Sequence, residues 1–286
     1  MPAPDSSSPC NPITARSISI VSAVIWILQQ PALIVASMTV LLTVSIAVIG
    51  LAVFRRSVST TRLEKSSSVI GQTFTLVGVL YPLVAAFALT SVWEQYQSAE
   101  AAANREAAAI RDLLYESEAL PPEIGTDFQQ QVQAYAEVVI STEFDRMRHG
   151  LPIERGSRDQ LRIRRILYSA KPVTRTEIAA YEEAVKSLEE LSSSRSERIA
   201  ASSAKLNVDI WVLLIGGAVI CLFFTYMLVC DDFVIHAVTV GLTAALAAFV
   251  LYLILTLDRP FVGSLSVSPE PYQNVITSWL RNAPGG

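Results

Sequence analysis

Residues 69–118 read VIGQTFTLVGVLYPLVAAFALTSVWEQYQSAEAAANREAAAIRDLLYESE. The stretch carries no charge through Trp93 and ordinary charge from Glu94 onward. Apart from Pro82, nothing in it breaks a helix. A bilayer-crossing helix needs about 20 mostly apolar residues, and Val69–Trp93 meets that length. The reading is one helix that crosses a membrane and runs on as a stalk. About 25 further residues would carry it roughly 37 Å past Trp93.

The rest of the chain has the same two-material character. Of its 286 residues, 51% are apolar and 17% charged, against about 25% charged in an average soluble protein. Residues 94–206 hold 15 Lys+Arg and 19 Asp+Glu, which is 34 of the 48 charges. A single soluble globule is excluded. The net charge of -4 gives no basic field, so nucleic acid is not expected as a partner. Cys10, Cys221 and Cys230 are odd in number and lack CxxC spacing, and the two histidines are far apart. No disulfide framework, zinc site or other cofactor is expected.

Three more apolar runs have spanning length: Ala32–Phe54, Ile210–Val229 and Phe233–Leu257. Ile18–Leu28 is apolar but too short to span. It reads as a short interfacial or re-entrant helix within 18–31, rather than the core of a signal peptide, since Met1–Ala15 has no positive charge. The Pro- and Ser-rich tail 1–17 reads as disordered. The expected organisation is tail 1–17, short helix 18–31, first span pair 32–93, helical extramembrane domain 94–206, second span pair 207–257 and C-terminal segment 258–286. The short loop 55–69 carries Arg55, Arg56, Arg62 and Lys65 against Glu64, which favours its placement in the cytoplasm. Arg195, Arg198 and Lys205 near the third span narrow that preference.

Within 94–206, Phe128, Val132, Tyr135 and Val139 recur at helical spacing, as do Ile178, Tyr181, Val185, Leu188 and Leu191. Thr174 with Glu177, and Ser157 with Gln160, have capping-box spacing. Pro121-Pro122, Gly150-Leu151-Pro152 and Pro172 mark breaks. Helices are expected near 94–118, 123–148, 157–169 and 174–206, the last running unbroken into the third span. The face Ala99, Ala102, Ala103, Ala107 permits close helix packing, including between subunits, or simply reflects good helix formers.

Chemistry-bearing motifs are absent. There is no phosphate-cradling Gly loop, nucleophile elbow or His-based metal motif, and an enzyme is not expected. Glu182-Glu183 and Glu189-Glu190 read as solvated helix faces, and Asp232 with His236 offers too few ligands for a metal. No ionisable side chain lies near mid-bilayer, which argues against a proton-coupled pump and leaves a passive channel open. Gln72, Thr73, Tyr81, Thr90 and Ser91 are candidate pore-lining residues, and Pro82 a candidate kink. The alternative is that these polar groups sit at interfaces and Pro82 merely bends the helix. Phe223-Phe224 reads as a constriction or as lipid and helix packing.

Several segments taken together carry a resemblance. One is Gly78, Tyr81, Ala85, Ala86 and Phe87 running into Trp93-Glu94. Others are Arg105-Glu106-Ala107, Leu113-Leu114-Tyr115, and Tyr135 followed by Glu143-Phe144, Met147 and Gly150. The most specific is Leu257-Asp258-Arg259-Pro260-Phe261, then Gly263 and Val267-Ser268-Pro269. The ensemble, over roughly 32–280, resembles the bacterial bestrophin-like membrane family, with Phe144 where members often carry Trp. The resemblance implies an all-α membrane protein with four transmembrane helices. Its helical extramembrane domain lies between the second and third spans, with long stalk helices continuous with those spans. It further implies a homo-oligomer conducting small inorganic anions. No pore constriction or calcium clasp maps onto this chain. Bestrophins keep their helical domain in the cytosol, opposite to the loop-charge preference. Asp258, Arg259, Pro260, Phe261 and Gly263 read as a structural lock at the span's exit, or as a gate. A membrane-anchored helical sensor or scaffold acting through protein partners is the alternative function.

Overall fold

The computed structural model describes residues 32–58, 67–153, 158–263 and 265–282. Among them the helices are α1 (Ala32–Ser57), α2 (Ser67–Ser117), α3 (Pro122–Val138), α4 (Phe144–Arg148), α5 (Arg158–Tyr168), α6 (Arg175–Ser203), α7 (Val208–Met227), α8 (Phe233–Leu257) and α9 (Glu270–Asn282). A π-helical turn, Val139–Glu143, joins α3 to α4. Helices α1, α2, α7 and α8 are long and apolar enough to cross a membrane. The expected tail 1–17, the 18–31 segment, the Ser157 cap and residues 59–66 of the short loop lie outside the described residues.

Helix α2 runs 51 residues, unbroken at Pro82, and reaches roughly 36 Å beyond Trp93. Its Ala99, Ala102, Ala103 and Ala107 are fully closed off, because α6 packs along that face within the same chain. The subunit-contact reading of the alanine face is thereby replaced: small side chains let α2 and α6 approach closely. Thr174 starts α6 with a full capping box, Glu177 N–H donating to Thr174 Oγ1 at 3.2 Å and Thr174 N–H donating to Glu177 Oε2 at 3.1 Å.

The expected second continuous stalk is corrected. Helix α6 ends at Ser203, Ala204 and Asn207 are extended (ψ 137 and 145), and α7 starts at Val208. At the end of α6 the Ser202 and Ser203 hydroxyls donate back to the Ile199 carbonyl. The Leu206 N–H then donates to Asp258 Oδ1 at 2.6 Å, a partner that a continuous helix would not leave it free to take.

The main core surrounds the distal half of α2. Leu113 and Leu114 meet Phe128, Val132 and Tyr135 of α3, Ile163 and Leu167 of α5, and Leu188 and Leu191 of α6. Tyr272 and Trp279 add α9 to the same core. The spanning helices form two smaller contacts. Ala47 and Leu51 of α1 meet Val240 and Ala244 of α8, while Ala85, Ala88 and Val92 of α2 meet Leu214 of α7 and Ile254 of α8.

Candidate functional site

On α2 the five polar candidates do not converge. Gln72 and Thr90 are 18 residues apart, about five turns, and so share a face; both are exposed. Thr73 and Ser91 follow on the adjacent line. Tyr81 is nine residues from each member of the first pair, about two and a half turns, and points the opposite way. Its ring lies against α7, where a Cβ built on Gly217 would come within 2.5 Å of it. Gly217 is what lets the tyrosine seat there. The Thr73 and Thr90 hydroxyls donate to the carbonyls of Val69 and Ala86 on their own helix. Pro82 sits mid-helix beside Tyr81 and lines a cavity of about 740 Å³ between the spans. That cavity has mostly apolar walls from α1, α2, α7 and α8, including Val35, Phe74 and Leu251. Phe223 packs edge-on against Phe54 of α1 at 5.9 Å.

At the far end of the first pair, the Arg55 guanidinium donates to the Cys230 carbonyl at 2.8 Å and lies over the Phe233 ring at 5.7 Å. It ties the end of α1 to the turn between α7 and α8. Asp232 caps α8 by accepting from Val234 N–H at 2.7 Å, and His236 Nε2 lies 3.0 Å from the Thr225 carbonyl. Asp232 and His236 are thus each committed to a helix end. Cys221 and Cys230 are free thiols.

The largest concentration of buried polar chemistry lies elsewhere, around the completely buried Arg198 of α6. Its Nε and Nη2 donate to Glu106 of α2 at 2.5 and 3.0 Å, a bidentate pair. Nη2 also donates to Glu143 Oε2 at 2.6 Å, and Arg195 Nη2 donates to Glu143 Oε1 at 2.6 Å. Tyr135 and Tyr272 hydroxyls donate to Glu106 at 2.5 and 3.1 Å. Glu106 therefore accepts four hydrogen bonds, about the full capacity of a carboxylate. Two arginines balance two glutamates, so the cluster is neutral. The Arg198 guanidinium also lies 5.5 Å over the Phe144 ring, and Phe144 meets Tyr272 and Phe261 edge-on at 5.4 and 6.0 Å.

Charge balance shows in the ionisation of these groups. Burial alone would raise the Glu143 carboxyl, but Arg198 and Arg195 outweigh it and hold its pKa below the usual 4.5. Burial, then the neighbouring Glu106 carboxylate, pushes the Tyr135 and Tyr272 hydroxyls well above 10.0, so both stay protonated donors.

The chain reaches this arrangement by local rules. Glu106 continues the stripe Ala99, Ala102, Ala103 on α2, and Arg195 and Arg198 continue Ala184, Leu188, Leu191 on α6. The π turn absorbs an extra residue, with Phe144 N–H reaching back to the Val139 carbonyl, and leaves both Glu143 and Phe144 buried. Sequence reasoning missed the cluster, treating Arg195 and Arg198 as membrane-edge charges. Their positions on apolar stripes were the available signal.

The segment after α8 completes the picture. Asp258 is buried and fastens the α6–α7 linker through Leu206. Arg259 and Pro260 turn the chain, with Val267 N–H donating to the Pro260 carbonyl at 2.7 Å. Gly263 adopts φ 94, a conformation that L side chains rarely adopt. Phe261 is thereby delivered into the core beside Phe144. Glu106, Tyr135, Glu143-Phe144 and Phe261, up to 155 residues apart in sequence, meet at one place.

Comparison with curated proteins and with solved structures gives no match. The Bestrophin-like domain matches residues 41–272, from within α1 to the Tyr272 that closes the charge cluster. With four long apolar helices in that frame, the chain is a multi-pass integral membrane protein and belongs to the Bestrophin-like family.

Proposed function

We propose that this protein is a homo-oligomer that conducts small inorganic anions passively through an axis lined by α2. Residues 94–206 form the extramembrane part, and the cluster around Arg198 holds it on the α2 stalk. The observation that carries the reading is the state of α2. Its spanning part has no Asp, Glu, Lys, Arg or His between Ser67 and Trp93, and its Gln72–Thr90 face is left exposed by the chain's own helices. Family membership supports the same reading. Uncharged walls with scattered hydroxyl and amide groups suit passive permeation better than proton coupling. Arg55, Arg56, Arg62 and Lys65 support a cytoplasmic 55–69 loop.

The test is ion flux from liposomes holding the purified protein, alongside its mass in mild detergent. Anion flux is expected, with a change in rate for Thr90→Leu and little change for Tyr81→Phe. A monomer with silent bilayers for anions and cations alike would overturn the proposal. Labelling of cysteines engineered into 55–69 and 123–148 from each side decides orientation.

A further inference from the structure

Helix α5 is unlike its neighbours. Between residues 158 and 177 the chain carries six basic residues (Arg158, Arg162, Arg164, Arg165, Lys171, Arg175) and two acidic ones (Asp159, Glu177). Ile163 and Leu167 bury one face of α5 against the core. The opposite face presents Arg158, Leu161, Arg165 and Tyr168, all exposed, with Leu161 61% and Tyr168 54% open. Arginine and tyrosine around an apolar residue is the composition of a protein interface.

A second surface has the opposite charge. Asp112 and Glu116 of α2 stand beside Glu183 of α6, with Glu182 next to it. Arg111 and Lys186 pair with Asp112 and Glu183, which leaves these four acids in excess by two. Partial burial, then Glu183 and Asp112, raise the Glu116 carboxyl, in keeping with that excess of acids.

The two surfaces flank α6 on opposite sides. Glu183, Glu190 and Glu197 lie on the flank that meets α2, as the contacts to Glu116 and Arg105 show. Ser192 lies on the other, where Arg164 of α5 reaches it at 3.5 Å. From α5 the chain returns to Arg175, the first residue of α6. The basic run therefore occupies the same length of α6 as the acidic flank. Ser192 is 11 residues from the α6 end that leads to α7, roughly 16 Å. At that level Arg164 stands about two screening lengths of about 8 Å from the α7 end of α6.

We propose that the α5 face docks on the acidic α2–α6 flank of a second copy of this chain, head to tail. Different patches on opposite flanks make a heterologous contact, which closes into a ring when the rotation allows. The interface rests on the oligomeric reading above only in requiring that copies meet.

The experiment uses full-length protein in detergent with Cys10, Cys221 and Cys230 replaced by Ser. Arg165→Cys and Glu116→Cys are introduced together, and a short bis-maleimide is added. Covalent dimers and higher ladders are expected. Adding Arg158→Glu with Arg162→Glu should cut their yield at least tenfold. Adding Glu182→Arg with Glu183→Arg as well should restore it, which a merely misfolded variant would not do. A monomer by mass would overturn this interface and the oligomeric reading together. An oligomer with no ladder, or a ladder indifferent to charge reversal, would overturn the interface alone, and so would a basic face that captures another protein while the oligomer stays intact.

Discussion

Leu33, Met38, Leu41 and Leu42 on α1 are each more than half exposed, whereas Phe128, Val132, Ile163 and Leu191 around the distal half of α2 are sealed completely. One chain thus packs in two ways. In hydrocarbon an exposed leucine costs nothing, and helices associate through small residues and close fit. The spanning bundle follows that rule, with Ala85, Ala88, Ala244 and Ala248 buried, and Gly50 and Gly217 giving way to Tyr226 and Tyr81. Beyond Trp93 the apolar faces are covered by the cluster's own helices. The cluster also buries four charges at its centre, which the bundle does not do among its described residues. Shape holds the bundle, whereas burial plus a saturated charge network holds the cluster.

The sharpest way to break this contrast is to remove one partner of the network. Arg198→Ala leaves Glu106 and Glu143 buried with fewer donors, and should cost about 3–5 kcal/mol. Denaturant unfolding followed by circular dichroism would register it. Combining Glu106→Gln with Arg198→Met should recover part of the loss, since no charge is then stranded between those two positions. A loss under about 1 kcal/mol for the single change would show that the network does not anchor the cluster.

The bundle should answer to shape instead. Gly217→Val adds a side chain where Tyr81 already sits, an overpacking worth about 1–3 kcal/mol. Tyr81→Ala in the same chain should relieve it. Thermal stability in detergent is the measurement, and an additive double variant would mean that α2 and α7 do not meet at that point.

Acid should separate the regions with a smaller effect. Glu143 has a depressed folded pKa, so its stabilisation is complete above the ordinary value of 4.5 and is lost as pH falls through the lower folded value. The cluster should therefore loosen in acid, while the uncharged parts of the spans keep their helicity. Glu143→Gln should flatten the acid limb of the stability curve. An unchanged limb would assign the acid response to other carboxylates.

Much of this was legible in the sequence, and the misses have physical causes. The spans, the α2 stalk and the Thr174 cap follow from local pattern alone. The break at 204–207 does not, because it contains no Pro or Gly and depends on Asp258, 52 residues from Leu206. The charge cluster was hidden because a charged residue is usually solvated. Arg198 looks the same in sequence as the exposed Arg105, and only its place after Ala184, Leu188 and Leu191 sets it apart. Tyr81's separation from Gln72 and Thr90 was within reach of helix arithmetic.

Arg105 supplies the smallest expected effect and the closest control. Like Arg198 it joins α2 to α6 through glutamates, here Glu190 at 3.6 Å and Glu197. Its side chain is 48% exposed, and those of the two glutamates are 52% and 50% exposed, against 0% for both Arg198 and Glu106. Water already solvates the exposed set, and salt screens it. Arg105→Ala should therefore cost under about 1 kcal/mol, shrinking further at high salt. Measured beside Arg198→Ala in the same denaturant series, the pair compares an exposed with a buried arginine–glutamate link between α2 and α6. Equal losses would mean that burial is not what gives the Arg198 network its strength.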